Sequence, residues 1–409
     1  MRNLEGAAIP MQTVLSKVRF LTGNADVVSG SQGICARRPF DEKVLLFLND
    51  VSRVIMKDVR SRQYSDVVTF AFWIRKSSTA ILKEQYLKDD GRYRIGKGMV
   101  FHIAPSNVPV NFAYSLASGL LSGNANIVRV PSKEFEQVSI IVDAFERVLS
   151  EYGDMKPYIT LVRYGRERDV NDLFSSIADM RVVWGGDDTI AQIRRSPLPP
   201  RSGEITFADR YSLAVIDSDC YMDMEDKERV AQDFYNDTYF SDQNACTSPR
   251  IVIWVGDRIE AAKQIFWEKE YELVKRRYEL QPIQAVNKLT GMYLSAVNIS
   301  GCKVEHYRDN RIIRIRVPKA DAYMMDYKDN SGFFFEYDCK DILEIRELCN
   351  DKRCQTVGYI GDKALFLPLI NSGIKGVDRI IPMGKTMDFD LIWDGYALID
   401  QLTRIVNVG

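Results

Sequence analysis

Between residues 99 and 184, short apolar runs alternate with stretches of helical spacing, and few architectures accommodate that alternation. Met99 to Ala104 suits a buried strand. Asn111 to Leu121 reads as a helix with small-residue faces ending at Ser122-Gly123-Asn124, and Ala125 to Val130 is the next strand, halted by Pro131. A helix over about Glu134 to Glu151, a strand at Tyr158 to Val162, a helix near Val170 to Ile177 and a strand at Met180 to Trp184 complete the series. Successive βαβ units predict an α/β fold whose first domain is of Rossmann type, with ligands beyond the carboxyl ends of its parallel strands.

The flanks are read the same way. Pro39 to Tyr86 is a helical lead-in, Asp89-Asp90-Gly91 a turn, and the proline cluster from Ser196 to Pro200 an end to the alternation. A domain boundary is therefore expected near Phe207. Asp226 to Tyr239 and Glu260 to Leu280 carry helical spacing around the apolar run Ile251 to Val255, which predicts a second βα unit. Leu398 to Val408 alternates and reads as a strand with no neighbour in sequence. With 409 residues to divide, three segments are expected: 1–206, the lead-in and first domain; 207–375, a second domain; and 376–409, a return segment with a terminal strand.

Composition excludes several classes of function. Lys plus Arg number 55 against 56 Asp plus Glu, so no basic field exists to draw the chain to nucleic acid. Val67 to Ile74 is among the longest apolar runs and falls far short of the roughly 20 residues that span a bilayer. The opening, with Arg2 and Glu5 and no apolar core, does not resemble a secretory signal, and a cytoplasmic location is expected. Seven cysteines without a Cys-x-x-Cys pair, and only two histidines, predict reduced thiols and no metal site.

Cys246 stands apart from the other cysteines. It lies in the polar stretch Gln243 to Pro249, between a predicted helix and the strand at Ile251, where a loop at the edge of an element can present a reactive group. A thiolate is both nucleophile and leaving group, and nearby amides or cations lower its pKa. Asn107 lies in a Pro-Ser-Asn-Val-Pro turn directly after a strand, a position suited to ligand contact and equally to an Asx-turn held by backbone. No Gly-x-Gly-x-x-Gly occurs anywhere.

The run Phe101 to Pro109, followed by Ser122 to Lys133, Trp184 to Asp187, Phe207 to Tyr211, Gln243 to Pro249 and Ile392 to Tyr396, resembles the bacterial acyl-CoA reductases. These include the long-chain fatty acid reductase subunit of bioluminescence systems and form a branch of the aldehyde dehydrogenase superfamily. The resemblance implies an aldehyde-dehydrogenase-like fold with an oligomerisation strand, S-acylation of Cys246, and an oxyanion donated to by the Asn107 amide. Ser106, Arg129, Ser132, Lys133, Gly165, Trp184, Gly185, Gly186 and Asp187 are the implied cofactor residues. Where NAD-using relatives carry a Lys-Pro-Ser-Glu-like tetrapeptide on the adenine ribose, this chain has Val130-Pro131-Ser132-Lys133. Exchange of acid for base favours the 2′-phosphate of NADPH, although Lys133 also suits a solvated charge at the start of the following helix.

Phe207 stands where hydrolytic relatives place the glutamate that activates water. A chain without that base is expected to hold its thioester for reduction, with Glu204, Asp209 and His102 open as alternative acid–base groups. The implied reaction is NADPH-dependent reduction of a fatty acyl group, presented as acyl-CoA, acyl-AMP or acyl-protein, to an aldehyde, with an acyl-protein synthetase as possible partner. An aldehyde dehydrogenase, an acyl-phosphate reductase and a non-reducing acyl carrier are the alternatives. The terminal strand, beside a hairpin near 91–98, is expected to cross to a second subunit and build a homo-oligomer.

Overall fold

The structure, a computed structural model, describes residues 10–87, 90–307 and 309–408, so Asp89 of the expected turn, and Arg2 and Glu5, lie outside the described residues. The chain divides into two compact units: the residues up to Ala208 with those from Asp390 onward, and Asp209–Phe389.

In the first unit β1 (Arg19–Thr22) and β2 (Tyr93–Gly96) precede β3 (Met99–Ile103), β4 (Ala125–Arg129), β5 (Ile159–Arg163), β6 (Met180–Trp184) and β7 (Gly203–Phe207). The main sheet runs β1-β5-β4-β3-β6-β7, antiparallel at β1 and parallel elsewhere. The chain moves outward through β4 and β5, then returns to β6 on the other side of β3. That reversal is where a doubly wound sheet opens a crevice.

Helices α1 (Glu42–Lys57), α2 (Ser65–Ile74), α3 (Lys76–Tyr86), α4 (Asn111–Leu121), α5 (Glu136–Leu149), α6 (Arg168–Ser176) and α7 (Asp187–Ile193) belong to this unit. In α1, Asp41 accepts from the Lys43 N–H as a cap, and Val44, Phe47, Leu48, Val51 and Ile55 are buried at helical spacing. The small residues of α4 let it lie close on the sheet. A Cβ at Gly119 would sit 1.9 Å from Asn126 Oδ1 of β4, so the approach requires glycine.

The proline cluster does not end this sheet. β7 follows it and pairs in parallel with β6, from Met180 opposite Gly203 to Trp184 opposite Phe207. Prolines between α7 and β7 break no ladder, because that connection makes none.

The second unit contains β8 (Tyr211–Asp217), β9 (Pro249–Val255), β10 (Lys303–His306), β11 (Ile313–Arg316), β12 (Phe333–Asp338), β13 (Cys354–Ile360) and β14 (Arg379–Pro382). Their order is β10-β11-β12-β9-β8-β13-β14, antiparallel only at β10. β9 is buried along its whole length and lies within the sheet, between β12 and β8. Helices α8 (Lys227–Asp237), α9 (Ile259–Arg277) and α10 (Pro282–Asn298) are its longest.

The terminal segment differs from expectation. Beyond the short hairpin of β15 (Ile392–Trp393) and β16 (Tyr396–Ala397), Leu398–Gln401 is a helical turn, and only β17 (Thr403–Val406) is a strand. Leu398, Ile399 and Leu402 are buried together, a spacing that alternation over the whole segment concealed. β17 has a partner in its own chain: it pairs antiparallel with β2, Thr403 opposite Gly96 and Val406 opposite Tyr93. Residues 91–98 therefore contribute one strand to a pair closed by the distant terminus, not a hairpin. Among the described residues no helix is long and apolar enough to cross a membrane.

Candidate active site

Cys246 sits in the loop that enters β9 at its amino end, half-buried. After α8 the chain passes through Tyr239–Ser241 and then Asp242 and Gln243, both left-handed at φ 52° and 57°. Two successive non-glycine residues in that region cost about 1–2 kcal/mol each, and such strain persists only where surroundings impose it. Gln243 imposes it here. Its buried amide donates to the carbonyls of Pro249 (2.8 Å) and Phe333 (3.1 Å) and accepts from the N–H groups of Gly332 (3.0 Å) and Phe333 (3.1 Å). Ser212 Oγ of β8 donates to the Cys246 carbonyl at 2.7 Å, and the Ser248 N–H closes a turn on Ala245 O at 3.1 Å.

Arg250, the second residue of β9, is buried and donates to Gln243 O (2.9 Å) and Asp329 O (2.8 Å). Burial lowers its pKa, opposed by Asp209, Asp329 and the Cys246 thiolate. Sequence reasoning named neither Arg250 nor a role for Gln243; the signal available was one arginine opening an otherwise apolar strand.

In the first unit the expected ligand residues gather past the carboxyl ends of the parallel strands. Ser106 and Asn107 follow β3 and are exposed, as are Ser132 and Lys133 after β4, Gly165 after β5, and Gly186 and Asp187 after β6. Arg129 joins two of these loops: its guanidinium donates to Gly165 O and lies 4.5 Å from the Tyr164 ring centroid. Lys133 is 5.1 Å from the Phe135 ring. Gly186 has open space where a Cβ would be. The Gly185 N–H donates to Phe207 O at 3.1 Å. Glu167 Oε2 is buried without a bond in the protein, and a Cβ at Gly165 would lie 3.1 Å from it.

The alternative acid–base groups separate clearly. Phe207 is buried, stacked on Trp184 at 3.6 Å and edge-on to Tyr396 at 5.7 Å. Glu204 is held by Arg181 (2.8 Å) and Arg194 (2.7 Å). His102 is fully buried, with Nδ1 2.7 Å from Ser115 Oγ and Nε2 3.0 Å from Asn126 Oδ1. The Asn126 amide donates to Asn124 O and Tyr158 O, so its Oδ1 faces the ring and the proton belongs on Nε2. Trp184 Nε1 donates to Ser115 Oγ at 3.0 Å, so Ser115 donates onward to His102. Burial lowers the His102 pKa to about 4. Asp209 is exposed, 3.8 Å from Lys328. His102 and Glu204 are thus committed to structural bonds. Among the described residues no cluster of three or more His, Cys, Asp or Glu could hold a metal ion.

The family model for acyl-CoA reductase (LuxC) matches residues 74–283. The chain belongs to this acyl-CoA reductase family. Other LuxC-type chains it matches include the long-chain acyl-protein thioester reductase of Aliivibrio fischeri, 26% identical over 326 residues, 76% of this chain and 64% of that protein. The protein of that name from Vibrio harveyi is 27% identical over 318 residues, again 76% and 64%. The chain thus spans less than two thirds of those two relatives. Among solved structures, 3,6-anhydro-L-galactose dehydrogenase aligns at TM-score 0.64 and 12% identity, over 98% of this chain and 91% of that one. The NAD-dependent benzaldehyde dehydrogenase of Corynebacterium glutamicum aligns at 0.63 and 14%, over 93% and 88%. The fold of this acyl-CoA reductase family member is that of the aldehyde dehydrogenases.

Proposed function

We propose that this chain reduces an activated long-chain acyl group to an aldehyde through an S-acyl intermediate on Cys246, with NADPH as reductant. The observation that carries this reading is Phe207. Its ring stacks on Trp184, the resemblance sets it where hydrolytic relatives carry the water-activating carboxylate, and Glu204, the nearest carboxylate on the same strand, is held by two arginines. The names of the relatives, which specify a long-chain acyl-protein thioester, support the substrate class.

Cys246, as thiolate, forms a bond to the acyl carbon, and the donor's leaving group departs with its electron pair. The Asn107 amide stabilises the oxyanion; loss of one such donor costs about 10²–10³ in rate. After reduction the hemithioacetal collapses to aldehyde and free Cys246 thiolate, and Arg250, bonded to the Gln243 carbonyl, holds the loop that carries the cysteine. The reduced nicotinamide supplies the hydride when bound. The open space at Gly186, the exposed Gly165 and the unbonded Glu167 oxygen fit a dinucleotide with hydroxyl groups to donate. Lys133, exposed after β4, would pair with a 2′-phosphate, and Arg129 shapes the neighbouring loop. The acyl group arrives as acyl-CoA, acyl-AMP or acyl-protein, the last from a synthetase partner, and the working form is a homo-oligomer.

Mass spectrometry after incubation with a long-chain acyl-CoA tests the core of the reading. The parent is expected to gain one acyl group, and Cys246→Ala none, with aldehyde formation abolished. An adduct that persists on Cys246→Ala removes Cys246 from the mechanism.

A further inference from the structure

Lys288, on α10, is fully buried, and its ammonium meets backbone: Nζ donates to the carbonyls of Asn310, Arg311 (3.0 Å) and Ser331 (2.7 Å). An ammonium has three N–H bonds, and each finds an acceptor. An interior charge is costly unless it is met in this way. Burial lowers the pKa to about 7, opposed by Asp329 and Asp309.

The three carbonyls belong to two turns in strained backbone. Asn310 is left-handed at φ 55°, Ser331 at 61° and Gly332 at 90°. Asn310 and Arg311 precede β11, and Ser331 and Gly332 precede β12. β11 and β12 pair in parallel, Ile313 opposite Phe333, and β12 pairs in parallel with β9. The amino ends of three adjacent strands therefore lie together, and the loop into the third carries Cys246.

The turn at Ser331 is also the seat of that loop. The Ser331 N–H donates to Asp242 O at 3.0 Å, and the N–H groups of Gly332 and Phe333 donate to the Gln243 side chain. Asn330 Nδ2 donates to Asn244 Oδ1, while Arg250 reaches Asp329 O and Asn330 Oδ1. Both ends of the cysteine loop thus rest on residues 329–333, and Lys288 fastens those residues to α10. Tyr239 OH, just before the loop, donates at 2.9 Å to the Arg311 carbonyl that Lys288 shares.

We infer that Lys288 is a positioning residue for Cys246: its ammonium fixes the segment Asp329–Phe333, and that segment sets the path of the loop from Asp242 to Arg250. The inference rests on the reading of Cys246 as the acylated residue. Lys288 acts through the backbone of two turns and takes no part in proton or acyl transfer.

Two measurements on the full chain at about pH 6, where the amine is charged, compare the parent with Lys288→Met and with the milder Lys288→Gln, which keeps an N–H pair. Hydrogen exchange needs no substrate. Peptides covering 240–250 and 327–335 are expected to exchange about fivefold faster in Lys288→Met, with peptides of the first unit unchanged. Single-turnover acylation by a long-chain acyl-CoA, followed by mass spectrometry of the Cys246 peptide, is expected to saturate at a rate about tenfold lower, with the half-saturating concentration within about twofold of the parent's. Lys288→Gln is expected to lie between, about threefold below the parent. A general weakening of the fold would instead open the buried thiols of Cys339, Cys349 and Cys354 to alkylation. If Lys288→Met opens them, Lys288→Gln decides; acylation lost only together with that alkylation in both variants overturns the proposal. Unchanged exchange in the two peptides overturns it, as does a parental saturating rate in either folded variant. A parent that gains no acyl group on Cys246 removes the proposed function, and the exchange of the two peptides still decides whether Lys288 holds the loop.

Discussion

At the scale of single residues the chain sorts its polar groups into those that hold structure and those left for ligand. His102 holds structure. Its chain of bonds through Ser115 to Trp184 fixes the indole on which Phe207 stacks, and its neutral form is retained by burial. The linkage has a definite sign. The unfolded ring titrates near 6.5 and the folded one near 4, so the unfolded state binds more protons as pH falls. The contribution is present above about pH 6.5 and is lost on acidification toward 4, about 3 kcal/mol in full. Urea denaturation of parent and His102→Gln between pH 4 and 7 is expected to give a flatter profile for the variant; parallel profiles would show that His102 is not the group responsible. Cys246 and Asn107 could be singled out in the sequence because each lies in a polar loop next to a strand, where a reactive or ligand-contacting group can be presented. Arg250 showed only as the one charge in an apolar strand, and Gln243 not at all: their partners, Phe333 and Asp329, are remote in sequence, and only folding brings them near.

At the scale of elements, buried helices and strands bounded by turn residues are where expectation and structure agree closely; α4 and β6 have the bounds their patterns predict. Helix α9 contains a residue its pattern does not explain. Glu270 is fully buried with neither carboxyl oxygen bonded, and burial pushes its pKa well above the usual carboxylate range. A neutral acid without partners still carries a desolvation cost. Glu270→Met, of similar volume, is therefore expected to stabilise the chain by about 1–3 kcal/mol at pH 8, read as a higher urea midpoint at unchanged slope. A lower midpoint would mean that the carboxyl makes a bond in solution. The terminal strand gives the second test at this scale. Deleting residues after Gln401 removes the partner of β2 and the Leu402 carbonyl that accepts from Asn124 Nδ2 at 2.9 Å. The melting temperature is expected to fall, and a melt equal to the parent's would show that β17 adds nothing to the fold. The same deletion examined by light scattering shows whether β17 also reaches a second copy: loss of mass supports strand exchange, and unchanged mass excludes it.

For the molecule as a whole, the proposed preference for NADPH rests on charge beyond the carboxyl end of β4. Lys133→Glu is expected to move the preference from NADPH toward NADH by about 1–3 kcal/mol, read as the change in the ratio of the two dissociation constants from tryptophan quenching; an unchanged ratio removes Lys133 from recognition of the phosphate. The sequence by itself determined the α/β class, the strand-to-loop junctions where Asn107, Lys133 and Trp184 fall, and the family through motifs spread along the chain. Those are properties of local periodicity and turn chemistry, which act over a few residues and are legible wherever a pattern repeats. Only the tertiary structure decided that β7 joins the first sheet despite the prolines before it, that β17 closes on β2, and that Glu204 and His102 are committed to structural bonds. It alone turned Lys288 inward, onto the turns before β11 and β12. Each of these depends on partners distant in the chain, and a buried hydrogen bond or ion pair is set by which surfaces meet rather than by the residues on either side of it.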